Sequence, residues 1–247
     1  MREVCLVVPC YDEEHRLRGD ALLAFLASQS HVSLCLVNDG SRDGTLGVLE
    51  GLKAREPARI AVVSLPRNEG KAEAVRQGVL QSAGTKRFAF IGYWDADLST
   101  PLDEVASLLA PFDADPACVA VLGSRIRRLG SSIDRNAARH YFGRVFSTLA
   151  SLVLDVPVYD SQCGAKMFRA AIVPVLFGEP FLTRWVFDVE ILARLRNHLG
   201  KAGLLAATVE VPLCTWTAVG GSKLRGAHMV RATLELARIR ARYGAAD

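Results

Sequence analysis

FAFIGYWDADLSTP, residues 88 to 101, carries the reading of the fold. The run from Phe88 to Trp94 has no alternation of polar and apolar residues, which is what a strand covered on both faces looks like. It delivers Asp95, Ala96 and Asp97 where buried backbone meets solvent. Two carboxylates at this spacing can hold a hard divalent cation against a diphosphate, because such cations take oxygen ligands and bridge to substrate phosphates. Acidic pairs at strand ends are also ordinary solvated loop residues, so the triplet acquires meaning only from the rest of the chain.

Outward from that stretch, short apolar runs recur at Val4 to Val8, Leu34 to Val37, Ile60 to Leu65, Phe88 to Ile91 and Val119 to Leu122. Segments of helical period separate them, as in Leu17, Leu22, Leu23 and Leu26, then Leu46, Leu49 and Leu52. Successive strand, helix, strand units of this kind predict an α/β fold with a central, mostly parallel sheet flanked by helices. Thr100 reads as the cap of a helix that opens at Pro101 and carries Asp103 and Glu104 in its first turn. Ligands in open α/β sheets bind outside the carboxyl ends of the strands. The polar segments Pro9 to Glu14, Asn38 to Thr45 and Asp95 to Thr100 all fall there, which predicts one shared crevice. Past Arg125 the pattern turns more helical, with a strand expected at Thr208 to Leu213, and there is no internal repeat or low-complexity segment.

The 247 residues are ample for a large core, and 30 Lys and Arg against 26 Asp and Glu leave a net charge of only +4. That balance gives no argument for nucleic acid, and none is expected as a partner. Basic residues gather from Arg125 to Arg144 and from Lys223 to Arg242, as solvated faces or as sites for phosphates and anionic surfaces. Cys5, Cys10, Cys35, Cys118, Cys163 and Cys214 form no CxxC pair, so neither a zinc site nor a disulfide framework is suggested and a reducing cytoplasm fits. His15, His31, His140, His198 and His228 are scattered without ligand spacing. The apolar stretches Val4 to Cys10 and Val145 to Leu154 fall below the roughly 20 residues of a spanning helix. From Leu224 to Tyr243, Met229, Thr233, Leu236 and Ile239 lie near one stripe, with Arg231, Arg238, Arg240 and Arg242 elsewhere. Such a helix packs on the protein or lies on an anionic bilayer, so the expected location is the cytoplasm with peripheral contact at the inner membrane face.

Single residues have readings of their own. Pro9 ends the first strand, Tyr11 offers a ring that can cover a nucleobase, and Glu13 can accept from ribose hydroxyls. Tyr11 reads equally as a core-edge aromatic and Glu13 as a first-turn residue. Asp39 precedes Gly40, which permits a tight path, so its carboxylate can accept from a base N–H; turn chemistry explains the same composition. Lys71 follows Asn68, Glu69 and Gly70 at a helix start, where a cation opposes the helix dipole and invites an explanation that a nucleotide phosphate or base carbonyl would supply.

The stretches VVPCYDEEHRL, LVNDGSRDGT, RNEGKAEAVRQG, DADLSTP, LGSR, DSQCGAKMFR, RWVFDVEIL and GSKL run in order along nearly the whole chain. Together they resemble the family 2 glycosyltransferases of the GT-A fold, and within them the polyprenyl-phosphate branch. DSQCGAKMFR, RWVFDVEIL and GSKL look most like dolichyl-phosphate β-glucosyltransferases, more so than the dolichol-phosphate mannose synthases. The resemblance implies one GT-A domain over residues 1–247, with 1–125 as the nucleotide-sugar half and 126–247 as the acceptor side. It implies inverting, metal-dependent transfer of a hexose, with UDP-glucose as the first donor and a GDP-hexose as the alternative. The acceptor is then a polyprenyl phosphate or, alternatively, a soluble small molecule. A nucleotide-binding protein without turnover is the remaining reading, against which the intact DAD, GSR and FDVE segments argue.

The same resemblance assigns Pro9, Tyr11, Glu13, Asp39, Lys71, Asp95, Ala96, Asp97, Ser222 and Lys223 to the donor, with Arg67 beside them. Mg2+ or Mn2+ would sit on Asp95 and Asp97, and Gly220 and Gly221 would hinge a closing loop. On the acceptor side it points to Arg125, Arg139 and Asp188, while Arg135 and Arg144 read equally as exposed helix arginines. A phosphate acceptor is already anionic and needs positioning by planar arginine donors rather than a strong base. Asp188 would orient or deprotonate the acceptor, a helix-capping role being its alternative. Ser99, Ala72 and Asp12 depart from the family's glutamine, glycine and asparagine.

Overall fold

The computed structural model describes residues 2–134, 137–218 and 226–244, and the side chains of all of these but 137–142 and 226–230. In chain order the elements are β1 (Val4–Cys10), α1 (Gly19–Ser28), β2 (Val32–Asn38), α2 (Thr45–Arg55), β3 (Ile60–Ser64), α3 (Lys71–Gly84), β4 (Phe90–Trp94), α4 (Glu104–Ala114), β5 (Ala120–Ser124) and β6 (Ser132–Asp134). There follow α5 (Ala137–Leu154), β7 (Ala165–Arg169), α6 (Val173–Phe177), α7 (Phe187–Ala207), β8 (Thr208–Pro212), β9 (Thr215–Thr217) and α8 (Gly226–Tyr243). The fold is α/β, with a central sheet flanked by helices.

Two compact units make up the chain, Met1–Leu98 with Met167–Pro180, and Ser99–Lys166 with Phe181–Asp247. In the first, β2, β1 and β4 are buried almost throughout, as unbroken apolar runs require, while the edge strand β3 is only partly covered. β1 pairs in parallel with β2 from Val4 opposite Val32 to Cys10 opposite Asn38, and with β4 from Val4 opposite Phe90 to Val7 opposite Tyr93. β2 pairs in parallel with β3, bringing Asn38 opposite Ser64. Parallel pairing sets all four carboxyl ends at one edge, so residues 11–14, 39–44, 65–70 and 95–98 leave the sheet together. In the second unit β5 and β8 pair in parallel from Ala120 opposite Thr208 to Ser124 opposite Pro212, and β6 pairs in parallel with β9.

Three local readings shift. β4 starts at Phe90 rather than Phe88, because pairing with Val4 begins there and Ala89 N donates to Glu3 O first. The helix expected from Pro101 begins at Glu104, with Asp103 rather than Thr100 at its N-cap. Glu104 N bonds Pro101 O and Val105 N bonds Leu102 O, so the first turn is wound tightly with i to i+3 bonds before the α-helix proper. Helix α7 contains Gly200 at φ 72 and ψ 170, which separates two helical pieces. The strand expected at Thr208 is present as β8.

Helix α3 lies on the sheet through small residues, Ala72, Ala74 and Gly78 among them. A Cβ at Gly78 would stand 2.5 Å from Val7 Cγ1 and 2.7 Å from Val37 Cγ2. Helix propensity alone would make Gly78→Ala stabilising by about 1 kcal/mol. Overpacking reverses the sign, and a loss of about 1–3 kcal/mol is expected in urea unfolding.

All six cysteines are free thiols, and only Cys214 is exposed. Burial pushes the thiols of Cys5 and Cys10 up to about 12 and those of Cys35 and Cys163 up to about 11. A native-state thiol titration at mildly alkaline pH should therefore give one fast-reacting group, with the others released only on unfolding.

Candidate active site

In the first unit, the loops after β1 and β2 are laced together. Asp12 N donates to Ser41 Oγ at 3.1 Å, Arg42 N to Asp12 Oδ1 at 2.9 Å, Glu13 N to Thr45 Oγ1 at 2.8 Å and Gly44 N to Glu14 Oε2 at 2.9 Å. Pro9 does not end the first strand, since it pairs opposite Val37 and β1 continues to Cys10 opposite Asn38; Tyr11, one residue past the strand, has its side chain partly in solvent. Glu13 is buried and its carboxylate is gripped by both arms of Arg16, Nε at 2.9 Å from Oε2 and Nη2 against Oε1. That hydrogen bonding raises the Arg16 pKa, and the charge of Asp97 adds to it, which ties the first loop electrostatically to the acidic triplet.

Asp39 is buried and accepts from Glu69 N at 2.8 Å, Gly70 N at 3.0 Å and Asn68 Nδ2 at 3.2 Å. The carboxylate thereby shapes the turn that delivers Lys71. Arg67, beside it, is largely exposed and pairs with Glu69 at 2.6 Å.

Lys71 opens α3 behind Gly70, whose φ of 96 suits glycine alone. Its Nζ stands 2.6 Å from Asp95 Oδ1 and 6.0 Å from the centre of the Tyr93 ring. The partner that the cation at this helix start meets within the chain is Asp95, not foreseen from the sequence. Asp95 and Asp97 are half-buried, Ala96 between them is buried, and Leu98 adopts φ 51, uncommon for a residue of its bulk. Strained backbone of this kind concentrates at functional sites. Among the described residues no group of three or more His, Cys, Asp and Glu side chains could hold a metal ion. Two carboxylates suit a hard cation that takes about four of its six oxygens from water and substrate phosphate, so the donor set fits the expected Mg2+ or Mn2+.

In the second unit, Arg125 is locked to Asp160. Nε and Nη2 each lie 2.7 Å from a carboxylate oxygen, and Arg125 N adds a third bond at 3.0 Å. The guanidinium lies 5.5 Å from the centre of the Trp216 ring. Tyr159 N and Asp160 N each donate to Glu210 at 2.8 Å. Arg144 stacks 3.8 Å from the Tyr159 ring centre and donates to Tyr159 O at 3.2 Å. Asp188, in the first turn of α7, is buried and paired with the fully buried Lys166 at 2.5 Å. Glu190 accepts from Arg194 at 2.8 Å, Leu182 N at 2.9 Å and Tyr243 Oη at 3.0 Å.

The residues expected at the donor, from Pro9 to Asp97, thus gather in one unit, and Arg125 and Asp188 lie in the other. Arg139 is in α5 with its side chain outside the description, and Arg135, Gly220, Gly221, Ser222 and Lys223 lie outside the described residues. Sequence reasoning missed Asp160, Lys166 and Glu210 as partners. Asp160 and Lys166 stand in the quoted DSQCGAKMFR, yet only the fold reveals what each one grips.

A family model described as "Glycosyl transferase family 2" matches residues 5–177. Dolichyl-phosphate beta-glucosyltransferase of Drosophila melanogaster is 31% identical over 245 residues, covering 90% of this chain and 69% of that protein. The Mus musculus protein of the same name is 31% identical over 241 residues, covering 90% and 70%. Among solved structures, glucosyl-3-phosphoglycerate synthase from Mycobacterium tuberculosis in complex with Mn2+, uridine-diphosphate and glucosyl-3-phosphoglycerate aligns with a TM-score of 0.69 at 18% identity, covering 100% of this chain and 81% of that one. That likeness is one of fold, the GT-A arrangement. With its acidic triplet at the end of a buried parallel strand and a family model spanning well over half its length, the chain belongs to glycosyl transferase family 2.

Proposed function

We propose that this glycosyltransferase moves glucose from UDP-glucose to a polyprenyl phosphate with inversion at the anomeric carbon. The observation that carries the reading is the placement of Asp95, Asp97 and Lys71 at the carboxyl edge of β1, β2 and β4, in a chain 31% identical to dolichyl-phosphate beta-glucosyltransferases. Residues 1–125 chiefly serve the donor and 126–247 the acceptor, with Arg125 at the boundary turned to the acceptor and Ser222 and Lys223 returning to the donor. Tyr11 covers the base, Glu13 and Asp39 take hydrogen bonds from the nucleoside, and Pro9 in β1 leads into the loop that places them. Lys71 faces the diphosphate, Ser222 and Lys223 are assigned to bind it, and the backbone at Ala96 sets the spacing of the two aspartates. Mn2+ or Mg2+ held by Asp95 and Asp97 would offset the charge that gathers on the departing diphosphate.

On the acceptor side, Arg125 braced by Asp160 and Arg139 on α5 position the phosphate, and Asp188 orients it. A phosphate oxygen attacks without a strong base, which suits a buried carboxylate already engaged by a lysine. We place the protein at the cytoplasmic face of a membrane, bound peripherally. The apolar stripe of α8 does not supply the contact, since Leu236 and Ile239 are buried against the protein. Helix α5 instead exposes Val145, Leu149 and Leu152 on one face, and Arg240 reaches Leu152 O at 3.4 Å. Among the described residues no helix is long and apolar enough to cross a membrane.

Asp97→Ala should lower metal-dependent transfer by about a hundredfold or more with the thermal midpoint nearly unchanged, because the side chain is part-exposed and outside the core. Full activity in that variant would remove the metal assignment. Incubation with polyprenyl-phosphate vesicles and labelled UDP-glucose should carry label into the organic phase. Label appearing only in water-soluble product would replace the lipid by a soluble acceptor.

A further inference from the structure

Lys166 is the first polar residue to explain in the second unit, because its side chain has no exposed surface. It lies in β7 among Ala165, Met167 and Phe168, all fully buried, where an apolar residue would satisfy the strand. Its ammonium donates to Asp188 Oδ1 at 2.5 Å, Cys163 O at 2.7 Å and Ser161 O at 2.9 Å. An ammonium carries three protons, so this one is fully spent inside the chain. Replacing a buried ion pair by well-packed apolar residues is often neutral or stabilising, so stability alone does not call for a lysine here. What the lysine does accomplish is geometric. It ties the turn at 160–164 to Asp188 in the first turn of α7, 22 positions beyond the lysine in the chain.

That turn has a second anchor. Glu210 takes Tyr159 N and Asp160 N, and Asp160 in turn holds Arg125 by three bonds. Ser161 Oγ and Gln162 Nε2 on the turn, and Ser124 Oγ next to Arg125, are buried and have no hydrogen-bond partner among the described residues. A segment pinned at both ends and carrying unspent polar atoms has the character of a support for something polar.

We propose that Lys166 is a positioning residue for the transfer reaction, fixing the Asp188 carboxylate and the Asp160–Arg125 pair as one acceptor-side assembly. The inference rests on the reading of Asp188 as the acceptor-orienting group. Its test is a cycle of Lys166→Met, Asp188→Asn and the double variant, read by kcat, by KM for each substrate and by thermal midpoint. Misplacement of about an ångström costs on the order of a hundredfold in rate, so Lys166→Met should lose about 10–100-fold in kcat with KM for UDP-glucose unchanged. Lys166→Gln, which keeps hydrogen bonding, substitutes where Lys166→Met leaves Asp188 unpaired and the chain unfolded. The double variant, free of the buried charge, should turn over at the rate of Asp188→Asn alone, because Lys166 has nothing left to position. Unchanged kcat in a folded Lys166 variant overturns the proposal, as does a double variant well below Asp188→Asn. Full kcat in Asp188→Asn would instead overturn the acceptor-side reading, and the positioning role with it.

Discussion

Parallel hydrogen bonding of β1 to β2 and β4 is the constraint from which the rest of the proposed donor side follows. It aligns Cys10 with Asn38 and Val7 with Tyr93, so three polar loops must leave the sheet at one edge. Residues more than fifty positions apart in the chain are then neighbours without any side chain having been recruited for the purpose. The loops interlock by their own side chains, Asp12 with Arg42 and Glu14 with Gly44, and Asp95 meets Lys71 across the same edge. A slip of one residue in β4 would turn Asp95 and Asp97 to the opposite face, and the burial of all five strand residues resists that slip.

Where the chain leaves regular structure, carboxylates stand in for the missing ladder. Asp39 holds Glu69 N and Gly70 N, Glu104 holds Cys214 N and Thr215 N, and Glu210 holds Tyr159 N and Asp160 N. Each takes two adjacent amide protons of an irregular segment, satisfying donors that burial would otherwise leave orphaned. Asp160 and Asp188 extend the pattern to cationic partners. Acidic residues that composition would class as surface groups are in this way part of the framework.

Much of the fold could be read from apolar runs, because strands covered on both faces need them and helices between them need period. The elements from β1 to β5 follow that logic, and β8 appears where Thr208 begins a run. Boundaries were less legible: Thr100 and Pro101 have the chemistry of a helix start, but the tight turn after Leu98 delays the helix to Glu104. That the residues proposed for the donor would lie together was legible because they cluster in short motifs at strand ends. Asp160, Lys166 and Glu210 were not, since each acts on a partner distant in the chain, and no local pattern encodes such pairings. The exposed stripe of α5 was hidden for a related reason, as Val145, Leu149 and Leu152 look like core until the neighbouring elements are in place.

Gly40 ties two of the proposed donor loops together in a further way. It sits at φ 61, and a Cβ there would collide with the backbone of Arg67 and Asn68. The segment after β2 and the segment after β3 therefore touch main chain to main chain, with no side chain between them to absorb a change. Any exchange of donor preference by grafting from a related transferase would have to carry both segments as one cassette, since neither can be recut to fit a foreign partner.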